Sequence, residues 1–423
     1  MIPESLAGKR IAITGSTGFL GTALVERLLR SAPDCELVLI VRPGRRGADR
    51  RVERDILRND AFDSLRETLG TAGFAEMTAR RVTALAGDVT IDGLGLDDDG
   101  RAALAACDIV IHSAAAVSFD SPLDQAVEVN LLGPVRVVET LSELGVAPHV
   151  VTVSTCYVAG SRRGAAPEEP VDASPFFVDV DWRTEVDAAR RIRRETETAS
   201  RTPESLADFR SKAHGELGAA GTPSLAAKTE QLRSRWVDDR MAESGIARAS
   251  SLGFPDAYAY TKALGEIATA ESRGDVPVSV VRPAIIESAF SEPSPGWIRG
   301  FRMAEPVIIS YARGLLKEFP GVPEGTIDVI PVDFVVAAIC AVAGRGPLAP
   351  EDGPDIVQVA SGSVNPLRYG TLVDQVREWF TEHPIYDEMG QPIPVPEWSF
   401  PGRGRVKKQL QRAATMLDHA QKV

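Results

Sequence analysis

The chain has 423 residues, 44% of them hydrophobic, with 47 Lys and Arg against 59 Asp and Glu and a formal net charge of −12 at pH 7. That length buries a substantial core and exceeds one simple domain, and the acidic balance argues against nucleic acid as a partner, since a protein that holds a phosphate backbone needs a basic face. Cys35, Cys107, Cys156 and Cys340 show neither CxxC nor ligand spacing, there is no signal peptide and no long apolar span, and the expectation is a cytoplasmic protein with no disulfide framework and no metal site.

In chain order, residues 11–14 read as the end of a buried strand, and Gly15, Gly18 and Gly21 follow at spacings of three, running into a helical pattern over residues 19–29. A strand, a tight turn and a helix N-terminus offer unpaired N–H groups and a positive dipole end to a pyrophosphate, so a dinucleotide is the natural guest. An ordinary glycine-rich turn is the alternative. The second apolar strand, residues 37–41, comes one helix later and favours the first βαβ unit of an α/β, doubly wound parallel sheet. Arg42, Arg45 and Arg46 then stand at the strand's carboxyl end, where the adenosine ribose would lie. Arginines there favour a 2′-phosphate, which reads as NADP(H), with a solvated basic loop as the rival.

Residues 51–80 are polar and helical in pattern, and a third strand at 82–86 ends in Gly87-Asp88-Val89, where Asp88 either accepts from an adenine amino group or is a turn residue. A strand at 109–112 runs into Ser113, Ala114, Ala115 and Ala116, small enough for close backbone approach, and His112 reads as core packing. The helix expected over 122–144 carries Asn130 in an apolar pattern, where it either anchors backbone or holds a water. A strand at 150–153 ends in Ser154-Thr155-Cys156-Tyr157, two hydroxyls where open α/β sheets place their ligands. Cys156 has no basic neighbour in sequence and reads as a small apolar residue.

Residues 161–250 break the strand–helix rhythm. Helices are expected to start at Thr202-Pro203 and Thr222-Pro223, the second stopping at Gly245, with disorder as the rival to a helical insertion. Tyr258 and Lys262 follow, four apart on a helix and so on one face, and an ammonium near a phenol lowers its pKa until it exchanges a proton near neutrality. Further strands are expected at 327–330 and 356–360 around a helix.

The set TGSTGFLG, GDVT, SAAAV, VNLLG, VSTCY, YAYTK and VRPAI has the order and approximate spacing of the extended short-chain dehydrogenase/reductase family. Within it the chain resembles the fatty acyl-CoA reductases from about residue 9 to about 401, most closely in LIVRPGRRG, GDVTIDGLGL, HSAAAVSFDSPLDQAVEVNLLG and VVRPAIIESAFSEPSPGWIRG. The resemblance implies a Rossmann fold whose Gly15, Gly18 and Gly21, with Thr14, Thr17, Phe19 and Leu20, seat the pyrophosphate. It gives Arg42 and Arg45 the 2′-phosphate, Asp88 and Val89 the adenine, and Ala114, Ala115, Ala116 and Asn130 a place along the cofactor. Pro283 and Ile285 would border the nicotinamide. Tyr258 would be the general acid on the carbonyl oxygen, Lys262 would hold the nicotinamide ribose, and Thr155 would bond the same oxygen with Ser154 as the rival hydroxyl.

The implied activity is NADPH-dependent reduction of a long-chain fatty acyl-CoA to the aldehyde, with the alcohol as the further product. A reductase of carrier-bound thioesters, a sugar-nucleotide or steroid reductase, and a non-catalytic dinucleotide sensor are the alternatives. Residues 1–160, 251–285 and 326–362 would form the nucleotide-binding domain, 161–250 the insertion, and 286–325 with 363–423 a substrate-binding and C-terminal region. Phe290, Trp297, Phe301, Ile308, Ile309, Tyr311, Leu315 and Leu316 there suit an acyl lid or tunnel, a peripheral membrane contact, or plain core. The basic run 402–412 precedes the place where many relatives carry a further C-terminal domain, so a fragment is expected, and the oligomeric state stays open.

Overall fold

Short apolar runs such as 37–41 and 109–111 become strands buried on both faces, the habit of a parallel sheet between helices. The computed structural model describes residues 2–162, 164–218, 222–300, 304–318, 321–349 and 353–401, so Phe301 and the basic run 402–412 lie outside the described residues. The strands are β1 (Arg10–Thr14), β2 (Glu36–Val41), β3 (Val82–Ala86), β4 (Ile109–His112), β5 (His149–Val153), β6 (Val278–Pro283) and β7 (Asp355–Val359). All pair in parallel, in the order β7-β6-β5-β4-β1-β2-β3. The order reverses between β1 and β4, which opens a crevice at their carboxyl ends, and Thr14 sits there in register with Ile40 on one side and His112 on the other.

The expected strand at 327–330 does not join this sheet. It is two short pieces, Thr326–Ile327 and Val329–Pro331, because the Asp328 carboxylate between them accepts from the backbone N–H of Ser361 (2.8 Å) and Gly362 (2.9 Å).

The helices around the sheet are α1 (Phe19–Ser31), α2 (Asp63–Arg81), α3 (Asp98–Ala105), α4 (Leu132–Glu143), α5 (Trp182–Ser200), α6 (Pro203–Leu217), α7 (Thr222–Ser251), α8 (Ala257–Ser272) and α9 (Val332–Arg345). The single helix expected over 122–144 is instead a short turn of helix, Leu123–Ala126, then one widened π turn, Val127–Leu131, then α4. Such turns swing one residue out of the regular ladder, and here it holds Asn130.

Residues 182–251 form three helices rather than two. The start of α5 has no Thr-Pro signal; the Asp181 carboxylate caps it by accepting from Arg183 N (3.2 Å) and Thr184 N (3.3 Å). Thr202 caps α6 through Ser205 N, with Pro203 in the first turn. The expected stop at Gly245 is not one, for α7 continues to Ser251. A Cβ at Gly245 would lie 3.1 Å from the Ala257 Cβ and 3.4 Å from the Leu123 Cβ, so this glycine lets α7 press against the start of α8.

These helices are ordered by burial: Trp182, Val186, Val237 and Met241 share one apolar cluster with Leu123, Val127, Tyr260 and Leu264. Inside it the Glu185 carboxylate accepts from the Tyr260 hydroxyl and from Arg248 Nε (2.9 Å) and Nη2 (2.5 Å), which ties α5 and α7 to α8.

The chain divides into two compact units, one of residues 1–297 and 331–359, the other of residues 298–330 and 360–423. The first holds the sheet and α1 to α9. In the second, Glu305–Ala312 and Tyr369–Glu382 are helical, and Thr326–Ile327 pairs antiparallel with Leu367–Arg368. Tyr311 is fully buried there, its hydroxyl donating to Pro396 O (2.7 Å) and its ring meeting Trp398 edge-on at 4.7 Å, so it is core. Leu315 is 77% exposed. Among the described residues no helix is long and apolar enough to cross a membrane.

Candidate active site

The crevice is built outward from the glycine turn between β1 and α1. Gly15 has φ +76°, and a Cβ on it would lie 2.5 Å from Ala114 N; one on Gly21 would lie 2.3 Å from Gly15 O. Nothing but hydrogen fits at either position, so the turn stays low and the end of α1 stays open. Gly18 begins α1 with no side-chain cap, and the buried Ser16 hydroxyl has no hydrogen-bond partner among the described residues. An uncapped N-terminus and an orphan donor beside a backbone cradle fit the pyrophosphate of a dinucleotide.

The loop after β4 forms the opposite wall. Ser113 Oγ donates to Thr14 O (2.8 Å), and Asn130 clasps the loop in both directions, accepting from Ala116 N (2.8 Å) and donating to Ala116 O (3.0 Å). Asn130 therefore anchors backbone. His112 is fully buried, with Nδ1 2.9 Å from Thr14 Oγ1, and burial lowers its pKa to about 3, so the ring is neutral.

After β3, Asp88 is a turn residue in part, its Oδ1 accepting from Thr90 N (2.9 Å) and Thr90 Oγ1 (2.8 Å). Val89 O accepts from Arg136 Nη1 (3.3 Å). Arg42, Arg45 and Arg46 are exposed, and among the described residues their guanidinium groups make no ion pair, which leaves them open to an anion.

The candidate catalytic residues lie at the ends of β5 and β6 against α8. Asp256 caps α8 by accepting from Ala259 N (2.8 Å) and so sets the turn that carries Tyr258. Thr155 is buried, its hydroxyl 3.5 Å from Pro283 O and within hydrogen-bonding reach of the Tyr258 phenol. Burial pushes that phenol up to about 12, and the bond from Thr155 only partly opposes it. Lys262 is 5% exposed and donates to Val153 O at 2.8 Å.

The arrangement differs from the expected one. The Lys262 ammonium is held by a strand carbonyl rather than by the phenol, and Tyr258 stays protonated through the neutral range, which suits a proton donor. Ser154 is buried, its N–H donating to Val281 O (2.7 Å) and its hydroxyl unpartnered among the described residues. Cys156 Sγ donates to Arg282 O at 3.0 Å and lines a small cleft with Arg162, Glu169 and Gln358.

A family model described as "NAD_binding_4: Male sterility protein" matches residues 13–339. The chain is 31% identical over 396 residues to "Fatty acyl-CoA reductase 2, chloroplastic" of Arabidopsis thaliana, covering 92% of this chain and 60% of that one. It is 30% identical over 400 residues to "Alcohol-forming fatty acyl-CoA reductase" of Simmondsia chinensis, covering 93% of this chain and 75% of that one. The chain belongs to the fatty acyl-CoA reductase family. It spans 60% of the length of the first of these relatives.

This family member carries an NAD(P)-binding domain of the extended short-chain dehydrogenase/reductase kind. The terminal R domain of the myxalamid biosynthetic pathway shares the fold, with a TM-score of 0.58 at 17% identity over 97% of this chain and 76% of that one. A thiolation-reductase di-domain from an archaeal peptide synthetase does so at 0.53 and 16%, over 88% of this chain and 60% of that one.

Three features of this family member escape sequence reasoning. Phe119 meets the Tyr258 ring edge-on at 6.2 Å and Tyr157 at 6.4 Å, forming an aromatic rim beside the phenol; the only signal is an aromatic in each of two loops that follow strands. Trp297 stacks on Phe19 at 5.3 Å and donates to Asp60 Oδ1 (2.8 Å), so it belongs to the glycine-turn side rather than to an acyl tunnel. Glu185, which accepts from the Tyr260 hydroxyl, lies 75 residues before it, too far for any local pattern to connect them.

Proposed function

We propose that this chain reduces a long-chain acyl-CoA thioester with NADPH, giving the aldehyde and, by a second round, the alcohol. The observation that carries the reading is the protonated phenol of Tyr258 beside the Thr155 hydroxyl, at the carboxyl end of a sheet whose glycine turn fits a dinucleotide. The names of the relatives supply the substrate class.

When bound, NADPH supplies the hydride. Thr155 and Tyr258 donate to the thioester carbonyl oxygen and stabilise the negative charge that grows on it, which is the largest lever available to such a site. Tyr258 gives that oxygen its proton, and the resulting hemithioacetal collapses to aldehyde and free thiol. Lys262, fixed on Val153 O, keeps a positive charge under the site and orients the ribose hydroxyls. Phe119 and Tyr157 shield the reacting carbon from water on one side. Incubation with NADPH and palmitoyl-CoA is the test: thiol with aldehyde or alcohol supports the reading, and intact thioester overturns it.

Arg42, with Arg45 beside it, is assigned to the 2′-phosphate of NADPH. Replacing an exposed charge-assisted contact costs little more than 1 kcal/mol. Arg42→Ala is accordingly expected to weaken NADPH binding about tenfold and to leave NADH binding unchanged. Nicotinamide fluorescence titration of the two cofactors checks this.

A further inference from the structure

Tyr258, Lys262 and Glu266 stand at i, i+4 and i+8 on α8, one face of one helix. Glu266 is the unexplained member. Its side chain is 7% exposed and is gripped by Arg282, 5% exposed, through Nε to Oε1 (3.0 Å) and Nη2 to Oε2 (2.5 Å). Arg282 belongs to β6, one residue before Pro283, and its own carbonyl takes the Cys156 thiol. Two charges taken out of water seldom add net stability compared with apolar packing, so a pair at this position calls for another reason.

Lys262 provides one. Its ammonium is buried with one acceptor among the described residues, Val153 O, and burial lowers its pKa to about 8, against which the negative charge of Glu266 pulls upward. The other groups facing it are neutral or distant. His112 on β4 is held uncharged, the Tyr258 phenol stays protonated, and the π turn Val127–Leu131 presents Asn130, an amide, while Asp256 and Tyr157 act on Tyr258 rather than on Lys262. Arg282 is a further cation on the neighbouring strand, bound directly to Glu266.

We propose that Glu266, clamped by Arg282, is a positioning residue that fixes α8 on β6 and holds Lys262 in its charged form beneath the reacting centre. The pair then works as a balance: Glu266 favours the ammonium, and Arg282 limits by how much. The inference rests on the proposed role of Lys262 in thioester reduction, but the charge state it concerns can be followed without substrate.

The test titrates Lys262 in the full chain by the carbon-13 shift of its ε-methylene, assigned with Lys262→Arg, alongside the alkaline limb of the reductase pH profile. In Glu266→Gln both readouts are expected to move to lower pH by about one unit, because the anion is gone and Arg282 is left unbalanced. In Arg282→Gln they are expected to move to higher pH. A purely structural pair would slow the enzyme at every pH and leave both midpoints in place, and that result overturns the proposal.

Should a single variant not fold, Glu266→Gln combined with Arg282→Met removes both charges at similar volume. An acid shift supports the proposal, because the anion that favours the ammonium is gone, and an unmoved midpoint refutes it. A chain that reduces no thioester yet shows the Lys262 shifts would overturn the proposed function and leave this inference standing.

Discussion

Tyr258→Phe is expected to lower thioester reduction by about 10³-fold while dinucleotide affinity stays within about twofold of the parent. The substitution keeps the ring that packs against Phe119 and removes only the hydroxyl. Because the phenol is held near 12, it is fully protonated at pH 7 and its loss removes the proton donor itself. Thr155 remains to donate one hydrogen bond to the oxygen, which leaves residual turnover. Steady-state kinetics with a parallel nicotinamide fluorescence titration separates the two effects. Equal loss of rate and of cofactor binding would mean that Tyr258 serves the cradle and not the chemistry.

The largest effect on stability is expected at Arg81, far from the chemistry. Its guanidinium is buried at the carboxyl end of α1 and donates to four carbonyls, Leu29 O (2.8 Å), Ala32 O (2.7 Å), Leu28 O (3.2 Å) and Cys35 O (2.8 Å). The last turn of a helix has no internal partners for its carbonyls, and a cation there also opposes the negative end of the dipole. Arg81→Leu strands those acceptors in the interior and is expected to cost about 3–5 kcal/mol, read as a lowered midpoint in urea with an unchanged slope. Arg81→Lys restores the charge but not the planar fork, so it should recover only part of the loss. The helix that Arg81 closes at one end is the one whose other end is proposed to hold the pyrophosphate, so cofactor binding at low temperature should survive in whatever fraction stays folded.

Much of the nucleotide-binding unit is legible because its signals are local. A run such as Leu37 to Val41, bounded by a helix and by Arg42-Pro43-Gly44, has few ways to be anything but a strand, and three glycines between a strand and a helix restrict the turn. Legibility fails where contacts between distant residues decide. Gly245 looks like a helix stop, yet it is the point where α7 meets Ala257 and Leu123. Helix α5 carries a charged run that resembles a disordered segment, and only the apolar faces of α7 and α8 give Trp182 and Val186 somewhere to go. Arg81 looks like a surface residue at the end of a polar helix, because the four carbonyls that bury it come from elsewhere in the chain.

The candidate site divides in the same way. Tyr258, Lys262 and Thr155 can be picked from their motifs, but the acceptor that fixes Lys262 and the burial that keeps Tyr258 protonated are properties of the assembled sheet edge. Spacing along a helix says which side chains share a face. It does not say which of them bond to one another, and here the phenol that Lys262 was expected to make more acidic is made less so by burial.

One measurement bears most directly on all of this: palmitoyl-CoA supplied with NADPH that carries deuterium at the transferring position of nicotinamide C4. Deuterium is expected on the former carbonyl carbon of the aldehyde or alcohol, in step with release of free thiol. Thiol appearing with an unlabelled carboxylic acid, or no thiol at all, would contradict it.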